Sequence, residues 1–392
     1  MFKYPKSICL LLIILAGCKK PYNPPAITNN ANYLVVEGVI NTGADSTVIK
    51  LSRTVQLAAK TTVNAELHAK VIVVSSTNVV YPLTETGRGY YGSAGLNLSA
   101  ANTYSLKIIA ANGKVYQSDF LQVKNSPPID SVNYVVEPKA VRINVNTHDP
   151  LKQTTYYRWD FTETYMIHAR YQSEDKLITT PVDTVVPRTA QDQVYTCWAT
   201  DTASTILLGS TARLSKDLVS QMPLTEIPFT SEKIADRYSI LVRQYALTPD
   251  AYLYWTQLKT NTEQLGSIFD ALPSELPGNI HCVSNPLEPV IGYIGVGAVS
   301  QVRIYVDSRN LPPLNTIVPL SIDGCIVQDY LFKDIVGNST LNDVYTWIYS
   351  GKQFVISADG SPGNTAGYQA TDRFCADCTL RGSNVQPAFW TY

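Results

Sequence analysis

The sequence predicts a mainly β protein in which an N-terminal β-sandwich is followed by a larger β-rich domain with one clear α-helix. Short runs of alternating apolar and polar residues recur along the chain with turn residues between them, and this period of two is typical of half-buried strands. A single stretch carries the helical period instead. At roughly 150 residues per domain, the length of 392 residues suits two domains, each with its own core.

The amino-acid composition argues against two classes of protein. Hydrophobic residues make up 45% of the chain and charged residues only 16%, whereas intrinsic disorder requires low hydrophobicity and high net charge. The 31 Lys and Arg nearly balance the 32 Asp and Glu, which leaves a formal net charge of -1. A protein that binds nucleic acid electrostatically carries a basic excess. The composition therefore argues against disorder and against a nucleic-acid partner.

The N-terminus has the pattern of a secretion signal. Lys3 and Lys6 precede an apolar run from Ile8 to Leu15, which is too short to span a bilayer as a helix. The sequence Leu15-Ala16-Gly17-Cys18 resembles the lipobox of bacterial lipoproteins. That resemblance implies that residues 1–17 are a lipoprotein signal peptide and that Cys18 becomes the lipidated first residue of the mature protein. An ordinary cleaved signal with an incidental Cys is the alternative.

Residues 18–31 are typical of a tether. Pro21, Pro24 and Pro25 favour an extended polyproline conformation. Lys19 stands where many inner-membrane lipoproteins carry Asp, so the resemblance implies a lipid-anchored location at the outer membrane. Surface-exported lipoproteins often carry acidic residues after the Cys, and this tether has none. Whether the protein faces the periplasm or the cell surface therefore stays open.

Residues 32–125 predict a β-sandwich of immunoglobulin-like or transthyretin-like size. About seven strands fit into this segment, since short alternating runs are separated by turn signals. The clearest hairpin joins the run from Tyr104 to Ile108 to a strand that starts at Val115. Its turn contains Asn112-Gly113, which favours the positive φ angles of a type I′ turn.

The proline pair Pro127-Pro128 marks the predicted domain boundary, because consecutive prolines cannot continue a strand ladder. Residues 126–392 then predict the β-rich domain with a Cys-containing C-terminal tail. In one of its strands an aromatic face alternates with a polar face that is available to solvent or a ligand. The aromatic positions are Tyr157, Trp159 and Phe161, and the polar positions are Arg158, Asp160 and Thr162.

The predicted helix covers residues 249–265. Thr248 suits the N-cap position and Pro249 the first helical position. The residues at helical spacing are Ala251, Trp255, Leu258, Thr262 and Leu265, and Gly266 ends the run. An amphipathic helix packed on a sheet is favoured here over a cofactor or partner surface.

Catalytic patterns are mostly absent from the sequence, and we assign no catalytic residue, metal site or cofactor. The histidines, His68, His148, His168 and His281, are scattered, and a zinc protease would need two of them one helical turn apart. The glycines between Gly292 and Ser300 only partly match a dinucleotide-binding fingerprint. They favour a strand with close backbone approach.

The cysteines predict disulfides, because exported chains meet an oxidising compartment. Cys9 leaves with the signal and Cys18 takes lipid, so the candidates are Cys197, Cys282, Cys325, Cys375 and Cys378. We expect Cys325 to pair with Cys375 or Cys378, and Cys197 to pair with Cys282. The Cys375-Ala-Asp-Cys378 spacing also leaves zinc binding and redox catalysis open as alternatives.

Several segments together resemble a large lipoprotein family of Bacteroidetes that is known only as a domain of unknown function. The segments that carry the resemblance are Cys18–Tyr22, Tyr33–Gly38, Leu83–Gly87, Pro127–Val132, Tyr156–Trp159, Leu272–Ile280, Pro289–Tyr293, Cys375–Gly382 and Pro387–Trp390. Members are commonly encoded beside TonB-dependent outer-membrane receptors. The family brings no established reaction, so the resemblance implies no catalytic residue.

The favoured function is that of a non-enzymatic accessory or ligand-capture partner of a TonB-dependent transporter. The 25 Tyr residues suit such a role, because Tyr gives broad contact area with a polar group at its end. A structural envelope lipoprotein is the first alternative. A surface hydrolase that uses Asp160 and Glu163 is less favoured, because strand positions three apart point to opposite faces.

If Cys18 carries the anchor, mass spectrometry finds an acylated Cys18 at the mature N-terminus, and the protein enters the detergent phase on partitioning. We expect Cys18→Ser to move the protein to the aqueous phase, since each buried acyl methylene contributes about 0.8 kcal/mol. Cys9→Ser, within the signal, should leave partitioning unchanged. An unacylated mature N-terminus would contradict the anchor.

Overall fold

The computed structural model describes residues 32–55, 64–263, 278–312, 324–332, 343–361 and 364–391. The predicted signal peptide, the lipidation site Cys18 and the tether at 18–31 lie outside the described residues, as does the predicted end of the helix at 264–265. The fold is mainly β with few helices, as the sequence predicts. Within the described residues, no helix is both long and apolar enough to cross a membrane.

The strands of the first part of the chain are β1 (Leu34–Ile40), β2 (Thr47–Arg53), β3 (Asn64–Ala65), β4 (Lys70–Ser75), β5 (Val80–Gly87), β6 (Tyr90–Ser93), β7 (Thr103–Ile109), β8 (Val115–Ser118) and β9 (Leu121–Gln122). They are followed by β10 (Ile129–Val136), β11 (Ala140–His148), β12 (Tyr156–His168), β13 (Asp175–Ile178), β14 (Thr184–Pro187), β15 (Thr196–Thr202), β16 (Leu207–Ser210), β17 (Leu218–Pro228), β18 (Arg237–Ala246) and the helix α1 (Pro249–Glu263).

The last part of the chain contains β19 (Ile280–Cys282), β20 (Val290–Ile291), β21 (Gly295–Val296), β22 (Ser300–Asp307), β23 (Gln328–Leu331), β24 (Phe354–Ser361), β25 (Asn364–Thr371) and the short helix α2 (Arg373–Ala376). Short 3₁₀ turns lie at Ala190–Asp192, Glu232–Ile234, Ser308–Asn310 and Cys378–Leu380, and a π-helical turn at Val344–Ile348.

Within the described residues, β1–β9 and β19–β21 form one twelve-stranded, nearly closed sheet. Its two layers are connected through β5, which pairs with β4 on one side and β6 on the other. The inward residues form a single apolar core that includes the fully buried Leu34, Tyr104 and Tyr116. The N-terminal sandwich thus consists of one curled sheet, because a continuous strand passes from layer to layer.

The first sheet also contains residues that the sequence assigned to the second domain. β19 pairs antiparallel with β8, and β20 and β21 pair in parallel with β1. Ile280, Val290 and Ile294 from this returning segment are buried in the first core. The segment 32–125 is therefore incomplete as a unit. The sequence alone does not reveal this pairing, because the parallel partners of β1 lie about 250 residues further along the chain, as in the pair Leu34 and Val290.

The predicted hairpin forms, with Ile109 opposite Val115, but its turn differs from the expected type. Ala110 and Lys114 close the loop through a backbone hydrogen bond of 2.9 Å, which leaves three residues between them. Gly113 has a φ of +82°, whereas Asn112 does not adopt a positive φ. A three-residue loop places only its last residue in the left-handed region, so the type I′ expectation was wrong.

A second sandwich lies between β10 and β22. The sheet β10-β11-β17 packs against the sheet β15-β12-β18-β22, which also carries β16 on β12. The aromatic face of β12 enters the shared core, with Tyr157, Trp159 and Phe161 all buried. The fully buried Gln244 accepts a hydrogen bond from the Trp159 indole and donates one to the carbonyl of Pro127. The side-chain amide of Gln244 thus links the predicted domain boundary at Pro127-Pro128 to the core of the second sandwich.

The helix α1 begins where the sequence predicts. The hydroxyl of Thr248 accepts a hydrogen bond from the backbone N–H of Ala251 at 3.2 Å, as an N-cap does. Ala251 and Tyr254 are its buried residues, while Thr262 is exposed. The packed face of α1 therefore contains Tyr254 and not the predicted Thr262. The ring of Tyr254 lies 5.4 Å from the ring of Tyr293.

One disulfide links the C-terminal region to the second sandwich, and another lies within the C-terminal region. Cys325 pairs with Cys375, one of its two expected partners. Cys197 pairs with Cys378, so the expected bridge from Cys197 to Cys282 does not form. Cys282 lies in β19 within the first core and is a buried free thiol, whereas Cys197 lies in β15 of the second sandwich. The chain's return to the first sheet separates them.

The residues after Cys378 form an ordered strap rather than a polar tail. Trp390 is 3% exposed, and its ring packs edge-on against those of Trp198 and Tyr305, at 6.3 and 6.0 Å. Before it, β23, β25 and β24 form a small sheet.

We expect the double variant Cys325→Ser/Cys375→Ser to lower the free energy of unfolding by about 2–4 kcal/mol, because the bridge closes a long loop in the unfolded chain. Denaturant unfolding under oxidising conditions measures this. In a reductant strong enough to open the bridge, wild type and variant should become equal. Equal stability under oxidising conditions would show that this bridge does not form.

Candidate functional site

A groove runs between the first sheet and the second sandwich. Its floor is the outer face of β12 and β18, one wall is β1 with the segment after β20, and α1 lies over one end. An apolar cavity of about 90 Å³ and a polar groove of about 520 Å³ adjoin here. Arg158, Tyr245 and Trp255 line both of them. We treat this groove as the candidate site because three separately built parts of the chain converge on it.

The polar side chains on the groove floor are explained by the alternation of side chains along β12. Since the aromatic face of β12 is buried in the second core, Arg158, Asp160 and Thr162 must point to the opposite face. The neighbouring strand β18 places Tyr245 opposite Arg158, and Arg243 opposite Asp160. Two of the polar positions that the sequence made available to solvent or a ligand, Arg158 and Asp160, therefore line the groove, and Thr162 lies on the same face of the strand.

Arg158 is held by two aromatic rings. Its guanidinium carbon lies 4.1 Å from the ring centroid of Tyr245 and 4.5 Å from that of Trp255, distances at which cation–π attraction is effective. Tyr245 comes from the adjacent strand and Trp255 from α1. The side chain of Arg158 remains 15% exposed. The stacking thus fixes the guanidinium at the boundary between the cavity and the groove.

Asp160 is the acidic partner of the second arginine. Its carboxylate accepts a hydrogen bond from Nε of Arg243 at 2.5 Å, and Arg243 also donates to the Thr162 hydroxyl at 3.0 Å. Burial lowers the pKa of Arg243, but the charges of Asp160 and Tyr245 and the hydrogen bonds to them together outweigh burial, and the net shift of the pKa is upward. Burial, and then the charge of Asp160, raises the pKa of Tyr245 to about 12, so its phenol is protonated at neutral pH.

A third arginine lies on the same sheet face, beside the groove floor. Arg303 in β22 stacks over Phe389 at 3.5 Å and donates a hydrogen bond to Ser239 at 3.0 Å. Burial lowers the pKa of Arg303, and the positive charge of Arg243 acts in the same direction against the opposing effect of Tyr305. Arg158, Arg243 and Arg303 lie on three adjacent strands of one sheet face.

The glycine-rich segment forms the wall beside the cavity, as the expectation of close backbone approach requires. A Cβ on Gly292 would lie 2.2 Å from the carbonyl oxygen of Val36, and one on Gly297 would lie 1.9 Å from that of Lys124. Both positions therefore require glycine. Residues 293–299 line the apolar cavity.

The two carboxylates of the hydrolase alternative do not share a site. Asp160 lies in the groove, whereas Glu163 is buried on the opposite face, where it accepts hydrogen bonds from Lys233 at 2.6 Å and from Tyr238 at 2.8 Å. Lys233 also pairs with Asp201 at 2.8 Å. This cluster is internally satisfied, so Glu163 does not serve as the partner of Asp160 for general acid–base work.

The cysteine candidates lie outside the groove. Cys197, Cys325, Cys375 and Cys378 are in bridges, and Cys282 is in the first core. Within the described residues, no group of three or more His, Cys, Asp or Glu side chains could hold a metal ion. Sequence reasoning did not assign Arg243 or Trp255 to a site. The alternation of Arg243 and Tyr245 with buried neighbours in β18 was the available signal.

Comparison with known families identifies a match that covers most of the chain. The model of the family described as Domain of unknown function (DUF4249) matches residues 19–303, which is well over half of the chain and includes the groove floor, α1 and the returning segment. The C-terminal segments that contributed to the resemblance, from Cys375 onward, lie outside the matched residues. No protein with a curated description matches the chain.

We expect Trp255→Ala to lower the free energy of unfolding by about 1–3 kcal/mol, because Arg158 loses one of its two stacking rings and α1 loses a packing contact. Leu253→Ala on the same helix is the matched control. Leu253 is 57% exposed, so its truncation should change stability by no more than about 0.5 kcal/mol. Equal effects of the two substitutions in denaturant unfolding would count against the stacking.

Proposed function

The chain belongs to the family described as Domain of unknown function (DUF4249), and we propose that it is a non-enzymatic, lipid-anchored protein that captures a ligand for a TonB-dependent transporter. The observation that carries the proposal is the groove, in which Arg158 is fixed between the apolar cavity and the polar groove. A few fixed polar groups beside an apolar cavity are the usual composition of a small-molecule site.

The proposed location is the outer membrane of a member of the Bacteroidetes. Support comes from the resemblance of Leu15–Cys18 to the lipobox and from the proline-rich tether that follows it. An extended tether of about 3.1 Å per residue allows a folded body to reach a neighbouring receptor while the lipid stays in the membrane.

The environment of Asp160 favours ligand binding without catalysis. Within the described residues, Asp160 is the only carboxylate on the groove floor. Asp160 is engaged by Arg243 at 2.5 Å and lies 3.5 Å from Arg158. A general acid or nucleophile needs a carboxylate that is free to reach substrate, and this one is held by two cations. A purely structural envelope role gives no reason for the cavity next to Arg158.

Affinity purification of the tagged full-length protein from native membranes tests the proposal. We expect a TonB-dependent receptor to co-purify, and its recovery to survive Trp255→Ala if the groove binds ligand rather than receptor. Recovery of other lipoproteins alone would argue for the structural role.

The hydrolase alternative is tested separately with peptide and glycan libraries. We expect no turnover by the wild-type protein. Turnover that is lost in Asp160→Asn but kept in Glu163→Gln would overturn the non-enzymatic proposal, because it would assign chemistry to the groove carboxylate.

A further inference from the structure

We propose that the groove recognises a small amphipathic carboxylic acid, with its carboxylate on Arg158 and its short apolar group in the adjoining cavity. This inference rests on the proposed function of ligand capture and adds the chemical class of the ligand.

The first argument is the unused donor capacity of Arg158. A guanidinium presents five N–H donors in a fixed fork that matches a carboxylate. Within the described residues, Arg158 makes no hydrogen bond, and its ion-pair contact is with Asp160 at 3.5 Å. Arg243 and Arg303, in contrast, each donate to described side chains. Arg158 is therefore the floor arginine that commits no donor to a described hydrogen bond, so its whole fork is left for a ligand.

The second argument is that these donors are fixed before binding. The rings of Tyr245 and Trp255 hold the guanidinium at 4.1 and 4.5 Å. A flexible arginine would lose rotamer freedom on binding, and a held one avoids that cost. The 15% exposure of the side chain leaves it accessible from the groove.

The third argument is the charge of the floor. Arg158, Arg243 and Arg303 lie on the same sheet face, with Asp160 as their acidic neighbour in the groove. The acidic groups on the wall have partners of their own, since Glu37 pairs with Lys50 at 2.7 Å and Asp45 accepts from Gln301 at 3.2 Å. Because Arg243 is paired with Asp160, the charge left on the floor is that of Arg158, which favours an anion. The nearness of Asp160 to Arg158 favours a single negative charge over a doubly charged phosphate.

The fourth argument is the cavity beside Arg158. Val39, Leu247, Val296 and the ring of Trp255 are among its lining residues. Its volume of about 90 Å³ is smaller than the roughly 150 Å³ of a cavity that holds benzene. A short aliphatic chain fits this space better than an aromatic ring or a long acyl chain.

Calorimetric titration with matched probes tests the class of ligand. Hexanoate, hexanamide, acetate and hexyl phosphate are titrated separately into the wild-type protein. We expect hexanoate to bind, and hexanamide to bind roughly tenfold or more weakly, because it keeps the shape but loses the charge-assisted hydrogen bonds. Acetate should bind more weakly than hexanoate, because it lacks the apolar chain, and hexyl phosphate should not exceed hexanoate.

Arg158→Lys supplies the test on the protein side. It keeps the charge and loses the bidentate fork, so hexanoate should weaken roughly tenfold while hexanamide stays unchanged. Arg142→Lys, which alters a strand arginine outside the groove that pairs with Glu137, should leave hexanoate binding intact. The comparison of hexanoate with hexanamide on wild type needs no variant, so a folding defect in Arg158→Lys cannot decide the result.

The outcomes separate this inference from the proposed function. No hexanoate binding, equal binding of hexanoate and hexanamide, or tighter binding of hexyl phosphate would overturn the carboxylic acid. Hexanoate binding with these selectivities supports it even if no receptor co-purifies, in which case the transporter partnership alone fails. A co-purified receptor without any hexanoate binding would leave the partnership standing and reject the ligand class.

Discussion

The parallel pairing of β1 with β20 and β21 is the constraint on which the rest of the structure depends. It brings the chain back to the first sheet after the second sandwich has been built, and Gly292 permits this because a side chain there would strike the carbonyl of Val36. Glu288 strengthens the return through contacts with Lys114 and Tyr116 at 2.6 and 2.7 Å. Without this pairing the groove would lose one of its walls.

The groove is a consequence of that junction rather than of any single motif. Its floor exists because β12 must bury its aromatic face. One end is covered because Thr248 caps the start of α1, shortly after β18 ends. The charged side chains of the groove are not all paired to the same extent. Asp160 and Arg243 neutralise one another at 2.5 Å, whereas Arg158 is held by rings that supply no acceptor for a proton. Aromatic packing therefore fixes Arg158 at the centre of the site, where its ion-pair contact with Asp160 is long, at 3.5 Å.

The sequence predicts the local part of this structure well. The mainly β class, the polar and apolar faces of β12, and the start of α1 all follow from periodicity and capping, which act over a few residues. The returning strands and the bridge from Cys197 to Cys378 could not be predicted in this way. Both depend on contacts between distant parts of the chain, and disulfide connectivity is not deducible from Cys spacing. The groove was missed for the same reason, since its walls meet only after folding.

The late completion of the first sheet has a consequence for biogenesis. Until residues 280–296 have emerged, the outer edges of β1 and β8 lack their final partners. Exposed strand edges promote association with other chains, and N-terminal segments are synthesised first. A nascent chain halted before residue 280 would carry two unpaired strand edges, so protection of the first sheet from association with other chains depends on synthesis of the returning segment.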